Sequence, residues 1–460
     1  MRYLLPLALA ALSATASFAQ NSITDAQLAK FRQESAASPA DRALNNAVAL
    51  NGLKSVGQSA NNSAYDTHFS NEVKSQGITD QQKSGRCWLF SGLNVLRAKM
   101  IQRYNLGTFT FSQNYLFFYD QLEKSNLFLQ AVIDSASLPM NSRYVDWLFK
   151  NPISDGGTFC GVADLVMKYG LVPSEVMPET YCANNTSVYA RLISLKLREY
   201  GLKLREMAKK SSKAQLEAEK GQQLGTIYKM LVRCFGLPPQ KFTWTLRDSK
   251  GNAVSTKEYT PKSFYKEYLG QDLGSDYAMF MNDPTRPYYQ TFQIDMDRHT
   301  YDGHNWTFVN IPMEDLKQMA IQSIKDSTMM YMSCDVGKEL DSKLGFEDSD
   351  NFCYADLLGT TFPMTKRERI QTYASGSSHA MTLMAVDLDA QGKPQKWMVE
   401  NSWGKDYGYK GHIIMTDRWF DDYVFRLVVN RKYVPAKLLK LYQQKPQMLP
   451  AWDPLFAPEE

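Results

Sequence analysis

The chain has 460 residues, 44% of them hydrophobic and 22% charged, so it can bury a sizeable core and is not of the disordered class. A formal net charge of +4 is small for this length, and with no dense basic run it gives no argument for nucleic-acid binding. Six cysteines are too few for a disulfide scaffold, and their spacings match no zinc pattern.

In chain order, residues 1–19 carry one charged residue, Arg2, then an apolar run from Leu4 to Leu12 and a small-x-small site, Ser17-Phe18-Ala19. This pattern predicts a secretory signal peptide cleaved after Ala19, and hence a secreted or periplasmic protein. The apolar run is too short to span a membrane, and no later stretch is long and apolar enough. The remaining 441 residues (460 minus 19) exceed one typical domain, so a core plus an elaboration is expected. Residues 20–70 are polar and partly helical, and they read as an N-terminal extension packing on that core.

The first stretch that carries chemistry is Gln81-Gln82-Lys83-Ser84-Gly85-Arg86-Cys87-Trp88. Leu89, Leu93, Leu96 and Met100 then recur at steps of three and four, which predicts an amphipathic helix with Cys87 in its first turn. Unpaired N–H groups and the positive end of the helix dipole favour a thiolate there, and the thiolate is the nucleophilic form. A buried cysteine at an ordinary helix start is the competing reading. Gln113 to Tyr119 continue the helical pattern, and Asp155-Gly156-Gly157-Thr158-Phe159 is a turn by composition. Residues 189–220 are dominated by arginine and lysine; Leu192, Leu195, Leu202 and Met207 suggest helices with a solvated charged face.

Further on, residues 377–386 read as a buried strand that includes His379, residues 389–394 as a turn, and residues 397–404 as the returning strand that includes Asn401. Antiparallel pairing brings imidazole and carboxamide side by side. Such a pair suits a cysteine nucleophile: His379 takes the thiol proton, and the Asn401 amide oxygen holds the other ring N–H in the useful tautomer. His68, His299, His304 and His412 have no comparable partner pattern and read as structural or surface residues. Cys160, Cys182, Cys234, Cys334 and Cys353 could be buried thiols or could pair in an oxidising compartment.

Gln81, Cys87-Trp88, His379-Ala380 and Asn401-Ser402-Trp403-Gly404 resemble the papain-type cysteine peptidases. The longer runs Ser84 to Phe90 and Val399 to Gly404 resemble one branch, bleomycin hydrolase and bacterial aminopeptidase C. Further runs of the same branch follow at 169–173, 177–180, 334–338, 415–420 and 449–454.

The resemblance implies an α+β papain-like fold, with a helical half over residues 71–176 carrying Cys87 and an antiparallel, β-barrel-like half over residues 302–440 carrying His379 and Asn401. The cysteine-to-histidine gap is 292 residues (379 minus 87). Papain-like enzymes use about 130–150, so roughly 150 residues are inserted. A helical insertion over residues 177–301 supplies most of them, and by resemblance it is an oligomerisation region of a ring-like homohexamer.

For the site, the resemblance implies that Gln81 and the Cys87 backbone N–H donate to the oxyanion, with the adjacent Gln82 as the competing register. It further implies that Trp403 covers the His379–Asn401 bond, and that Gly156 and Gly157 bind substrate as an added strand. Residues 441–460 form a C-terminal arm in the cleft, whose Glu460 carboxylate meets the substrate's amino group. The expected activity is an exported cysteine aminopeptidase acting on peptides with a free N-terminus, without metal or organic cofactor. Nucleic-acid binding, attributed to members of the family, finds no support in this chain's charge pattern. An endopeptidase with an open cleft and a non-catalytic oligomeric binding protein are the alternatives; a scaffold would not need the Cys87, His379, Asn401 and Gln81 set.

Overall fold

A computed structural model describes residues 22–35 and 38–453. The segment read as a signal peptide and the end of the C-terminal arm, Glu460 included, lie outside the described residues. The chain divides into two compact units. The smaller one joins the residues up to Ala60 to Phe352–Thr361. Its helices α1 (Asp25–Glu34) and α2 (Pro39–Asn51) each begin with a capping box, Thr24 with Gln27 and Ser38 with Asp41, which satisfies N–H groups that a helix start leaves open. A short α3 (Leu53–Gly57) follows, and the Cys353 N–H donates to the Gly57 carbonyl at 2.8 Å.

The larger unit carries every described candidate site residue. After the two-residue β1 (Asn71–Glu72) come α4 (Cys87–Tyr104), α5 (Gln113–Asp134), α6 (Arg143–Lys150) and α7 (Phe159–Tyr169). Next come α8 (Tyr181–Asn184), α9 (Thr186–Ala208) and α10 (Lys213–Phe235), then a hairpin of β2 (Phe242–Arg247) and β3 (Ala253–Tyr259), and α11 (Pro261–Tyr268). On α9 the buried stripe is Tyr189, Ile193, Leu197, Gly201 and Leu204. Of the positions the sequence pattern picks out, Met207 is half-buried against the core, but Leu192, Leu195 and Leu202 are 46%, 60% and 54% exposed, because the helix carries a second apolar stripe among its charges.

The remaining strands form one twelve-stranded sheet with β1. They are β4 (Tyr277–Met281), β5 (Gln290–Ile294), β6 (Thr307–Asn310), β7 (Met330–Cys334), β8 (Leu340–Asp341), β9 (Phe346–Glu347), β10 (His379–Leu388), β11 (Pro394–Glu400), β12 (His412–Thr416), β13 (Val424–Asn430) and β14 (Gln447–Leu449). Its centre, β4-β13-β7-β10-β11-β12, is antiparallel throughout, and the parallel pairs β4–β6, β5–β14 and β9–β12 lie outward of it. The architecture is α+β and papain-like, with two hydrophobic cores: one packs the helices against sheet residues such as Phe308, Tyr331 and Val428, and the other centres on the sheet.

Helix α4 is buried on nearly every side from Cys87 to Ala98, so the single apolar stripe expected of it understates its burial. Its buried Asn94 and Arg97 find partners for some of their polar atoms, while Asn94 Oδ1 and Arg97 Nε and Nη1 find none among the described residues. Asn94 Nδ2 donates to Thr79 Oγ1 at 3.2 Å, and the Arg97 guanidinium pairs with Glu400 and reaches the Gly77 carbonyl at 2.6 Å.

Candidate active site

Cys87 opens α4 and is fully buried. No side chain caps this helix start, where Arg86 stands at the N-cap. The preceding loop is held from two directions. The Gly85 N–H donates to Asp155 Oδ2 at 2.7 Å, and a Cβ on Gly85 would lie 2.6 Å from the same carboxylate, which explains the glycine. The Lys83 N–H donates to the Asn184 carbonyl at 3.0 Å. Arg86, fully buried, pairs with Glu179 at 2.8 Å and lies 5.2 Å from the ring centres of Phe90 and Phe117. Trp88 Nε1 donates to the Asp155 carbonyl at 2.8 Å, so one residue of the glycine turn ties the loop to the cysteine helix.

His379 begins β10, where it pairs with Cys334 of β7. Asn401 follows the last residue of β11, whose Glu400 pairs with Thr382 of β10. The two side chains meet at the open end of this ladder, Nε2 to Oδ1 at 2.8 Å. Asn401 Oδ1 also accepts from the Ser402 N–H at 2.8 Å. A backbone N–H can only donate, so that bond fixes which amide atom is the oxygen. The proton on His379 therefore sits on Nε2, and Nδ1 keeps a lone pair. Burial holds the imidazole down at about 4, against the raising effect of the Asn401 hydrogen bond, so the ring is uncharged at neutral pH. Trp403 covers the pair, its ring centre 4.6 Å from that of His379. The strand is joined to the cysteine helix by Thr382 Oγ1, which donates to the Ser91 carbonyl at 3.2 Å.

Gln81 reaches the same corner. Its Oε1 accepts from Ser402 Oγ at 2.6 Å, its backbone N–H donates to the Ser402 carbonyl at 2.8 Å, and Nε2 donates to the Ser84 carbonyl at 2.6 Å. An amide NH2 has two hydrogens, so one remains for another acceptor. Gln82, exposed and at φ 54°, turns its amide away to Asp80 at 2.6 Å.

Gly156 and Gly157 directly follow Asp155. They line a cavity of about 590 Å³ together with Trp147, Met296, Trp452 and Asp453. The chain's final described stretch enters this wall deliberately anchored: β14 runs parallel to β5, Arg143 lies 4.5 Å over the Trp452 ring, and Asp453 pairs with Arg286. Sequence reasoning missed Asp155, Lys124, Asp120 and His299. His299 is buried beneath the glycine turn, its Nδ1 2.5 Å from Asp120 Oδ1. Asp120 and His299 are 179 residues apart, and nothing in either neighbourhood announces the other. His304 Nδ1 lies 2.7 Å from Asp164 at the surface, and His412 Nδ1 lies 3.1 Å from the Tyr409 carbonyl. No disulfide joins any of the six cysteines, all of which are described residues.

A model of the peptidase C1-like family matches residues 22–456. Aminopeptidase C of Lactobacillus delbrueckii subsp. lactis is 36% identical over 419 residues, covering 90% of this chain and 93% of that protein. Human bleomycin hydrolase (Homo sapiens) is 37% identical over 401 residues, covering 85% and 88%. The crystal structure of PepW from Lactobacillus rhamnosis HN001 superimposes with a TM-score of 0.92 at 37% identity, over 95% of this chain and 100% of that one. With a family match over nearly all the described residues and a shared fold, the chain belongs to the peptidase C1-like family.

Proposed function

We propose that this protein is an exported cysteine aminopeptidase of the bleomycin hydrolase type, gated by its own C-terminal arm. The observation that carries the aminopeptidase reading is the shared cavity wall: Trp452 and Asp453, just before the chain's last residues, line the same cavity as Gly156 and Gly157. A chain end directed into that cavity would close one side of the cleft and meet a substrate's charged amino group with a carboxylate, a charge-assisted contact. Residues Pro454 to Glu460 supply that end, and Glu459 and Glu460 add negative charge to it.

In the reaction, His379 Nδ1 takes the proton of Cys87 as the sulfur attacks the scissile carbonyl carbon. The oxyanion accepts from the Cys87 backbone N–H and from the second Gln81 amide hydrogen; one such donor is typically worth about 10²–10³ in rate. Collapse of the tetrahedral adduct breaks the C–N bond, and the leaving amine takes the proton from His379. Water, deprotonated by the same imidazole, then hydrolyses the thioester and returns the thiol. What supports the base role is the lone pair left on Nδ1 and the uncharged state of the ring at neutral pH. Assembly as a homohexamer fits the exposed stripe of Val188, Leu192, Leu195 and Leu202 on α9. Export rests on residues 1–19 alone.

The test is deletion of Phe456 to Glu460, with hydrolysis compared on an aminoacyl substrate and on the same substrate blocked at its amino group. The deletion should lose activity on the free amine and gain it on blocked or internal bonds. Intact enzyme that cleaves blocked peptides as well as free ones would make the protein an endopeptidase.

A further inference from the structure

Below the glycine turn lies a buried polar chain that no step of the reaction uses. Lys124 of α5, with its side chain 11% exposed, donates to the Ser154 carbonyl at 3.2 Å and the Gly156 carbonyl at 2.6 Å. It also pairs with Asp120 at 3.0 Å. Asp120, fully buried, faces His299 Nδ1 on its other side, and His299 Nε2 accepts a long hydrogen bond, 3.4 Å, from the Thr158 N–H. Because that N–H can only donate, the His299 proton is on Nδ1 and is given to Asp120. The imidazole fills the space directly under the turn: a Cβ on Gly157 would lie 2.2 Å from it and one on Gly161 2.3 Å from it. Its ring centre is 4.5 Å from that of Trp88, the neighbour of Cys87.

The consequence is specific to one residue of the turn. Ser154 and Gly156 point their carbonyls inward to the ammonium, and the Thr158 N–H points inward to the imidazole. The backbone N–H and C=O of Gly157, between them, make no hydrogen bond among the described residues. A residue with both peptide groups unpaired beside a cavity is what an extended substrate needs for strand addition. We propose that Lys124 and His299, bridged by Asp120, are positioning residues that hold residues 154–158 in the register presenting the Gly157 edge to peptide. The proposal rests on the peptidase reading above and adds which side chains set the substrate's backbone contact.

Two rates separate positioning from general damage. The first is kcat and KM for a free-amine dipeptide substrate. The second is alkylation of Cys87 by iodoacetamide, which needs the thiol but no strand addition. In Lys124→Met, kcat/KM for the peptide should fall about 10- to 100-fold, chiefly through KM, because a misplacement of the order of an ångström has that cost. The alkylation rate should stay within about threefold of wild type, and Lys124→Arg, which keeps the cation, should recover most of the loss. His299→Gln is the second variant, for use should Lys124→Met not fold, with the same expectation. Equal losses in both rates, or no loss in the peptide rate, would overturn the proposal. Wild-type protein that alkylates at Cys87 but cleaves no peptide would instead overturn the functional reading.

Discussion

Replacing Glu400 by Gln should be among the most destabilising single changes in this protein. Glu400 is fully buried, pairs with Arg97 at the centre of α4, and accepts from Ser75 Oγ at 2.7 Å. Arg97 is 1% exposed, and its Nε and Nη1 already have no acceptor, so beyond Glu400 its guanidinium has only the Gly77 carbonyl. Removing the carboxylate leaves a buried cation without a counter-charge, which costs about 3–5 kcal/mol. Total stabilities run about 5–15 kcal/mol, so the loss is a large fraction of the whole. Urea unfolding followed by tryptophan fluorescence reads it as a lower midpoint with an unchanged slope. Arg97→Met combined with Glu400→Leu should recover most of the loss, since an apolar pair leaves no charge stranded. Activity should fall before the fold is lost, because Glu400 directly precedes Asn401 in the chain. A Glu400→Gln protein within about 0.5 kcal/mol of wild type, or a double variant weaker than the single one, would refute the reasoning.

His379→Ala should lower kcat/KM on a free-amine substrate by about 10⁴-fold or more with the fold intact, and Asn401→Ala by much less, since Asn401 orients the ring without exchanging protons. Equal losses from the two variants would mean that the carboxamide does more than orient. The pH dependence of stability follows from His379, whose folded value of about 4 lies below its ordinary 6.5. Its contribution is full above about pH 6.5 and is lost as pH falls through about 4, a total of about 3 kcal/mol that His379→Gln should remove from the unfolding curve. Among thiols other than Cys87, Cys353 is exposed, Cys234 is pushed up to about 11 by burial and by the neighbouring Cys182, and burial pushes Cys160 well up. Native alkylation at about pH 8 should therefore modify Cys353 first and spare Cys160, as peptide mass spectrometry would read.

What the sequence made legible was local or repeated chemistry. Cys87 before a periodic apolar run, and His379 and Asn401 flanking a turn, are patterns within short windows, and the structure brings His379 and Asn401 into contact. The register of Gln81 against Gln82 needed the fold, because both are amides and only the hydrogen bonds to Ser402 and Asp80 distinguish their surroundings. Illegible from the start were contacts between distant segments, such as Arg97 with Glu400 and Asp120 with His299, 303 and 179 residues apart. Helix α9 misled in another way: with apolar residues on two faces, periodicity alone could not say which face the core takes.

The hydrogen bond from the Ser402 N–H to Asn401 Oδ1 also bears on how the protein ages. Asparagine deamidates when the backbone nitrogen of the next residue attacks the side-chain carbonyl carbon to close a five-membered imide. Here that nitrogen keeps its proton engaged with the carbonyl oxygen, at 2.8 Å, and Asn401 and Ser402 are 1% and 2% exposed, away from the water that would carry the proton off. The arrangement that sets the imidazole tautomer thus also shields the carboxamide from its commonest spontaneous lesion. Exposed Asn51, followed by Gly52, lacks that shield, and slow chemical damage should accumulate there while the orienting amide stays intact.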